Sequence, residues 1–382
     1  MDNNIPTTMQ AWTFSTSGAP EQILSLNSSL PMPPKPKGSQ VLVRISHAAL
    51  SSAGKSLMMV VPSALRKNAI PELDFSGCVV LAGPDVPPRL GPGTPVFGTV
   101  SKYATAVLGH GTLAEYLLIG SECIAIKPTN MTFAEAACLS VLGQVAMGMI
   151  QKAQVKRGDR ILINGGSGAV GTAAIQLAKH LGAHVVAVCS GSKAGIVKSV
   201  GADEVSGSLV THCNQDEQLM VNQVVDYRQV KSVPGFLTET YGKGLFDAIL
   251  DTVGSQELFT KSPGYLKPDG IVVNVGEGNE ETGQLGFVLQ ALRNTHQPSF
   301  LGGIPRKYIT FSAPLTGANA ERLGSLAEEG KMRVFIDSSF HFKDALKASP
   351  PSISVLCEPT NIATRLMRGS TAQIQEEGSS WR

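Results

Sequence analysis

The sequence is poor in charge and has no grouped cysteines. Charged residues make up 16% of the 382, against about 25% in an average soluble domain. Lys plus Arg number 32 and Asp plus Glu 30, a formal net charge of +2. That balance offers no basic face for nucleic acid and no acidic tail. The six cysteines (Cys78, Cys123, Cys138, Cys189, Cys213, Cys357) contain no CxxC pair, which argues against a disulfide framework or a cysteine-rich metal lobe. The opening MDNNIPTTMQ lacks a basic stretch followed by an apolar one, so no signal peptide and a cytosolic location are expected. The nearest approach to a long apolar run, residues 136–150, is interrupted by Ser140 and Gln144, and no membrane partner is expected. What is plentiful is glycine (40) and proline (23), with a hydrophobic share of 42%. These exclude a helical bundle and a disordered chain, and the length fits two domains.

The organisation changes near Thr132. Before it, short strand-like runs such as 40–45 and 78–81 alternate with punctuation such as PMPPKPKG and GPDVPPRLGPG, the pattern of a β-rich domain. At Thr132, with Glu135 three residues on, a capping box opens an apolar stretch of helical period. Beyond it strands and helices alternate: RILIN (160–164), a helix over 170–181, HVVAVC (184–189), then strands over 246–251 and 271–275. Alternation of this kind implies crossover units and a parallel sheet. The expected divisions are 1–130, 131–290 and a return to the first domain with a tail over 291–382.

Gly165, Gly166, Ser167, Gly168, Ala169, Val170 and Gly171 follow the strand RILIN and open the helix. In that setting glycines let backbone approach a pyrophosphate, and helix N-terminal amides supply donors and positive potential. A tight structural turn is the bland alternative. The end of the next strand reads Cys189-Ser190-Gly191-Ser192-Lys193, where an NAD site usually has a carboxylate for the ribose hydroxyls. Ser190, Ser192 and Lys193 instead suit a 2′-phosphate, so NADP(H) is the expected cofactor, against an ordinary exposed lysine.

Two other patterns fail on context. Tyr227 and Lys231 have YxxxK spacing but lie too close to the glycine loop for a short-chain dehydrogenase. A hydrolase elbow around Ser167 would need glycine where Ala169 stands.

GDRILINGGSGAVGTAAIQLAKHLGAHVVAVCS, VGADEV, LDFSGCVV, HGTLAEYLLI, FDAILDTVG and LKPDGIVVNVG together resemble the medium-chain dehydrogenase/reductase superfamily, in its zinc-free quinone-oxidoreductase-like and fungal enoyl-reductase-like branch. The resemblance implies an α/β chain: a GroES-like β-rich catalytic domain plus a Rossmann doubly wound parallel sheet, with the active site between them. It implies cofactor contacts from Tyr227, from Thr252 and Val253, and from Val275 and Gly276. Phe300-Leu301-Gly302-Gly303 and Arg306-Lys307-Tyr308 resemble a fungal stretch that could line the cleft, with a solvated turn as the plain alternative.

Zinc is disfavoured because Ser51-Ser52 and Phe75-Ser76-Gly77-Cys78 stand where zinc-dependent relatives carry ligands; His47, His110 and Cys78 are the remaining conceivable set. Without a metal, hydride transfer suits an enone, a quinone or a related carbonyl, with donors stabilising the developing negative charge. The candidate catalytic donor is Lys55, aligned with the lysine of an Asn-Pro-x-Asp-x-Lys run. Here the run reads Ser51-Ser52-Ala53-Gly54-Lys55, and a solvated surface lysine is the alternative. Tyr103 and Tyr116 are weaker candidate acids.

Three departures stand out from the resemblance. Residues 206–223 are an insertion expected to be a surface loop. Val141 and Val145 replace frequent threonines. After FHFKDALKA the ending shows no counterpart of the final strand, which would leave the catalytic sheet with an unpaired edge. The leading expectation is an NADPH-dependent reductase of a small molecule, in the manner of fungal polyketide-tailoring relatives, with a homodimer as an open state. A catalytically silent nucleotide-binding partner protein and a zinc alcohol dehydrogenase are the alternatives.

Overall fold

The computed structural model describes residues 5–60, 67–206, 232–242, 244–276, 278, 283–347 and 363–366. Tyr227 and residues 207–223 of the insertion lie outside them.

The first domain is antiparallel. Its strands are β1 (Thr8–Thr13), β2 (Ser25–Pro31), β3 (Gln40–Leu50), β4 (Asp74–Ala82), β5 (Pro95–Thr99), β6 (Tyr116–Gly120) and β7 (Ile124–Ile126). Strand β1 pairs with β2, while β3 joins β4 and β6. Both β3 and β4 run longer than their apolar centres at 40–45 and 78–81 suggested. Register shifts at Leu42/Val43 and Ile45/His47 break strict alternation, so a simple period-2 reading stops early. Inside, Val41, Val43, Ile45, Phe75, Val79 and Leu117 form one core. Helix α1 (Ser52–Val60) leaves the end of β3.

The second sheet has six strands: β8 (Arg160–Asn164), β9 (His184–Val188), β10 (Glu204–Ser206), β11 (Phe246–Asp251), β12 (Leu266–Asn274) and β13 (Lys307–Thr310). All its pairings are parallel, in the order β10-β9-β8-β11-β12-β13. The chain works outward from β8 to β10 and then restarts at β11 on the other side of β8. Where the order reverses, neighbouring loops diverge and leave a crevice at the carboxyl ends of the strands. The expected Rossmann sheet is present. Because β13 pairs with β12 from Ile271↔Lys307 to Asn274↔Thr310, we propose that this unit extends to Thr310 instead of ending at 290.

Between the sheets lies α2 (Phe133–Ala153). Its start is the expected capping box: Glu135 N donates to Thr132 Oγ1 at 3.2 Å and Thr132 N donates to Glu135 Oε2 at 2.8 Å. It packs on β3, β4 and β5 from one domain and on β11 and β12 from the other. Contrary to the reading of its interrupted apolar run, this helix is long and apolar enough to cross a membrane by length and composition. Its most apolar window is 78% buried, so its apolar character is spent on two sheets. Ser140 and Gln144 are accommodated there because Gln144 Nε2 donates to Ser140 Oγ at 3.0 Å, and Gln144 Oε1 accepts from Thr316 N at 2.7 Å.

The chain then returns to the first domain. Strand β14 (Ile336–Phe340) pairs with β15 (Ala363–Leu366), and β15 runs parallel to β3 through Thr364↔Ala49 and Arg365↔Leu50. This corrects the expectation of a missing final strand. The run ATRL is too short and too polar to announce itself by composition. The indole N–H of Trp12 donates to Phe342 O at 2.8 Å, tying β1 to the returning segment.

Candidate dinucleotide and catalytic site

The glycine loop sits at the carboxyl end of β8. Gly165 has φ +78°, a left-handed conformation that side chains resist. Gly165 N and Gly166 N both donate to Val188 O, at 3.1 and 2.9 Å, and Gly168 N donates to Gly165 O at 2.9 Å. The turn is therefore pinned to β9. Ala169 and Val170 open α3 (Ala169–His180), whose first-turn amides have no partner inside the helix. Gly171 packs against the loop so tightly that a Cβ there would meet the backbone of Gly165, with Gly166 Cα 2.9 Å away. Gly168 caps the helix without a side-chain hydrogen bond. Together, Gly165, Gly166, Ser167, Gly168, Ala169, Val170 and Gly171 form a backbone cradle suited to a pyrophosphate.

Across the crevice, the loops after β11 and β12 are held from below by two buried side chains. Asp251, 3% exposed, accepts from Asn164 Nδ2 at 2.9 Å, Val253 N at 2.9 Å, Gly254 N at 3.0 Å and Ser255 N at 2.7 Å. Burial pushes its carboxyl above the ordinary range, and these four donors oppose that shift. Asn274 accepts from Gly276 N and donates to Gly276 O, both at 3.0 Å. Thr252 Oγ1 donates to Asn164 O at 2.8 Å. Val253 is left half-exposed at 51%, while Val275 is partly covered and Gly276 is buried. Three strands thus bring Gly165, Thr252, Val253, Val275 and Gly276 to one crevice. Sequence reading singled out the loop residues but missed Asn164, Asp251 and Asn274 as their framework. Those side chains terminate strands and look like any polar residue at a strand end.

The loop after β9 carries Ser190, Ser192 and Lys193. Ser190 and Lys193 are each 6% exposed, which corrects the alternative of a surface lysine. Ser192 is exposed, with its Oγ 3.4 Å from Ser190 Oγ. Among the described residues the Lys193 ammonium has no hydrogen-bond or ion-pair partner.

Lys55 lies in the other domain, half-buried on α1. The same domain holds two buried carboxyls that sequence reading did not pick out, one of them bonded to Ser51 at the start of α1. Glu72 (1% exposed) and Asp74 (2% exposed) are each pushed up to about 8. Burial is the main cause for both, and in Glu72 repulsion from Asp74 adds to it. Asp74 accepts from Val141 N at 3.1 Å, so β4 is fastened to α2. Tyr103 is 68% exposed and Tyr116 lies half-buried in β6. Phe300 is 85% exposed and Leu301 63%, so they stand off the packed wall.

The residues conceivable as zinc ligands are not brought together among the described residues. Among the described residues, no three His, Cys, Asp or Glu side chains gather as a metal requires. His47 stacks over Phe133 with ring centroids 6.4 Å apart and bonds Ser46 Oγ at 2.8 Å. His110 is exposed, and burial pushes up the Cys78 thiol.

A glycine-rich turn at the switch point of a parallel sheet, in a chain that also carries an antiparallel β-rich domain, is the architecture shared by two-domain dinucleotide-dependent oxidoreductases. Residues 169–313 match the family described as Zinc-binding dehydrogenase. The chain is 33% identical over 363 residues to Medium chain reductase pydE of Acremonium sp, covering 89% of this chain and 94% of that protein. It is 29% identical over 380 residues to Trans-enoyl reductase poxH of Penicillium oxalicum, covering 90% and 94%. Among solved structures, the quinone oxidoreductase from Coxiella burnetii superposes with a TM-score of 0.68 at 25% identity, covering 92% of this chain and 99% of that one. The chain belongs to the medium-chain dehydrogenase/reductase superfamily, in its fungal enoyl-reductase-like branch. It is an oxidoreductase of that family, and membership implies a nicotinamide cofactor and a small-molecule substrate.

Proposed function

We propose that this oxidoreductase uses NADPH, without a metal, to reduce the activated C=C bond of an enone, with quinones and related carbonyls as electronically similar substrates. The observation that carries the cofactor choice is buried Lys193 beside buried Ser190 at the end of β9. A covered ammonium without a partner among the described residues attracts a dianionic 2′-phosphate, and no carboxylate stands in CSGSK to oppose it. A reduced nicotinamide, when bound, supplies the hydride equivalent. The chain's own part is to hold and to protonate. Amides of the 165–171 cradle take the pyrophosphate, and Ser190, Ser192 and Lys193 take the 2′-phosphate. Thr252, Val253, Val275 and Gly276 border the crevice, and in this reading Tyr227 adds a contact from outside the described residues. Lys55 Nζ donates to the oxygen on which negative charge develops.

The similarity to Medium chain reductase pydE and Trans-enoyl reductase poxH supports a secondary-metabolite substrate, a polyketide enone in the first instance. That step is fold-level analogy. A cytosolic homodimer belongs to the same reading. Strand β13, at the edge of the sheet among the described residues, and exposed Val288, Leu289 and Leu292 support it.

A second reading is a nucleotide-binding partner protein without turnover, favoured by the loss of the Asn, Pro and Asp of the Asn-Pro-x-Asp-x-Lys run ahead of Lys55. One experiment separates the two. NADPH and NADH are titrated by fluorescence, and NADPH oxidation is then followed with a panel of enones and quinones. Tight NADPH binding with turnover that falls in Lys55→Ala supports the reductase. Binding without turnover supports the silent protein, and absence of NADPH binding overturns both.

A further inference from the structure

Helix α1 begins with half of a capping box. Ser51 Oγ accepts from Gly54 N at 3.0 Å, the bond from side chain to third residue that starts many helices. The reciprocal bond, from the third residue's side chain back to the first amide, cannot form because residue 54 is glycine. Another segment supplies it. Glu72 Oε2 accepts from Ser51 N at 3.0 Å and from Ser51 Oγ at 3.2 Å.

Two further observations make this arrangement specific. A Cβ built on Gly54 would fall on the carboxyl group of Glu72, so the glycine is what makes room for the distant side chain. Glu72 also holds φ +71°, a conformation costly for a residue with a Cβ. The local backbone is strained to deliver a carboxyl to this spot. The residue that follows Gly54 on the same helical turn is Lys55.

We propose that Glu72 is a positioning residue for Lys55: it completes the cap of α1 from outside the helix and thereby fixes where the lysine ammonium stands. The inference rests on the reading of Lys55 as the proton donor. Glu72 itself touches neither substrate nor cofactor in this scheme. Its burial agrees with a static holding role.

The test compares the full-length protein with E72Q, E72G, the double variant G54E/E72G, and K55A. The double variant moves the same carboxyl to position 54, where it can close an ordinary capping box with Ser51, and glycine at 72 suits the positive φ. NADPH affinity, read by fluorescence, should be equal in all five, because the cradle lies in the other domain. Amide exchange over residues 51–56 should be about tenfold faster in E72G, near wild type in E72Q, and restored in G54E/E72G. Turnover number with an enone should fall at least tenfold in E72G at little-changed KM, and recover in the double variant.

Unchanged turnover in E72G, or restored exchange protection without restored turnover, overturns the proposal. So does lost turnover with unchanged exchange. Should K55A retain full turnover, the proton-donor reading fails, and the exchange data still decide whether Glu72 holds the helix.

Discussion

Removing the Asp251 carboxyl is the most direct test of how the crevice is held open. In Asp251→Ala, four donors lose their acceptor: Asn164 Nδ2 and the amides of Val253, Gly254 and Ser255, now bonded at 2.7 to 3.0 Å. Each buried donor left unsatisfied costs about 1–3 kcal/mol, and simple addition would give roughly 4–12 kcal/mol. Two effects reduce this. Water can enter the vacated space, and the fold no longer keeps a carboxyl out of water, the burial cost that raises the Asp251 pKa. A net loss of about 3–5 kcal/mol is expected, comparable with breaking a buried charged contact and large against a total of about 5–15 kcal/mol. Asp251→Asn keeps one acceptor oxygen but turns an amide group toward backbone N–H donors, so about half the loss should persist. Urea unfolding followed by circular dichroism gives the change, and NADPH titration below the transition should show weakened binding. An unfolding free energy for Asp251→Ala within 1 kcal/mol of wild type would refute the assignment of this residue as the framework of the loop.

Four other expectations can be measured alongside. Glu72 and Asp74 rise from 4.5 and 3.8 to about 8 on folding. The fold therefore binds their protons more tightly than the unfolded chain. Their contribution is full below about pH 4 and is lost as pH climbs through 8, by up to about 5 kcal/mol per group. Asp74→Asn should flatten the fall of urea midpoint between pH 5 and pH 8, and parallel profiles for variant and wild type would contradict the burial argument. Lys193→Ala should weaken NADPH by about 10- to 100-fold while leaving NADH unchanged, as expected for a charge-assisted bond of about 1.5–3 kcal/mol; calorimetric titration decides. Gly171→Ala should abolish measurable dinucleotide binding in a folded protein, since its Cβ would press on the Gly165 backbone. Thr132→Ala should cost about 1 kcal/mol through the lost cap, visible as a lower thermal midpoint.

Much of the fold was legible because its signals are local. Apolar β8 and β9, the capping box at Thr132 and the glycine run after RILIN each follow from side chains close in sequence. Strand β15 was not legible: a four-residue polar run becomes a strand only because β14 and β3 offer it pairing partners. The site divides in the same way. The cradle is written in glycines, whereas Glu72 acquires meaning only beside Ser51, 21 residues away in sequence. Asp251 and Asn274 looked like strand ends because their hydrogen bonds reach a loop that periodicity does not see. Residue 290 looked like a boundary because β13 is a short strand following a helical segment.

The bond from Trp12 to Phe342 spans 330 residues of chain. On the ribosome, the amino-terminal strands therefore emerge long before the segment that closes their sheet. The parallel sheet, whose strands all lie between Arg160 and Thr310, can assemble while the earlier part is still waiting. Synthesis order and completion order are thus reversed, and at about 5–20 residues per second the wait lasts tens of seconds. During that interval the apolar α2 and the inward face of β3 lack part of their cover, which makes the nascent chain a natural client for chaperones that shield hydrophobic surface.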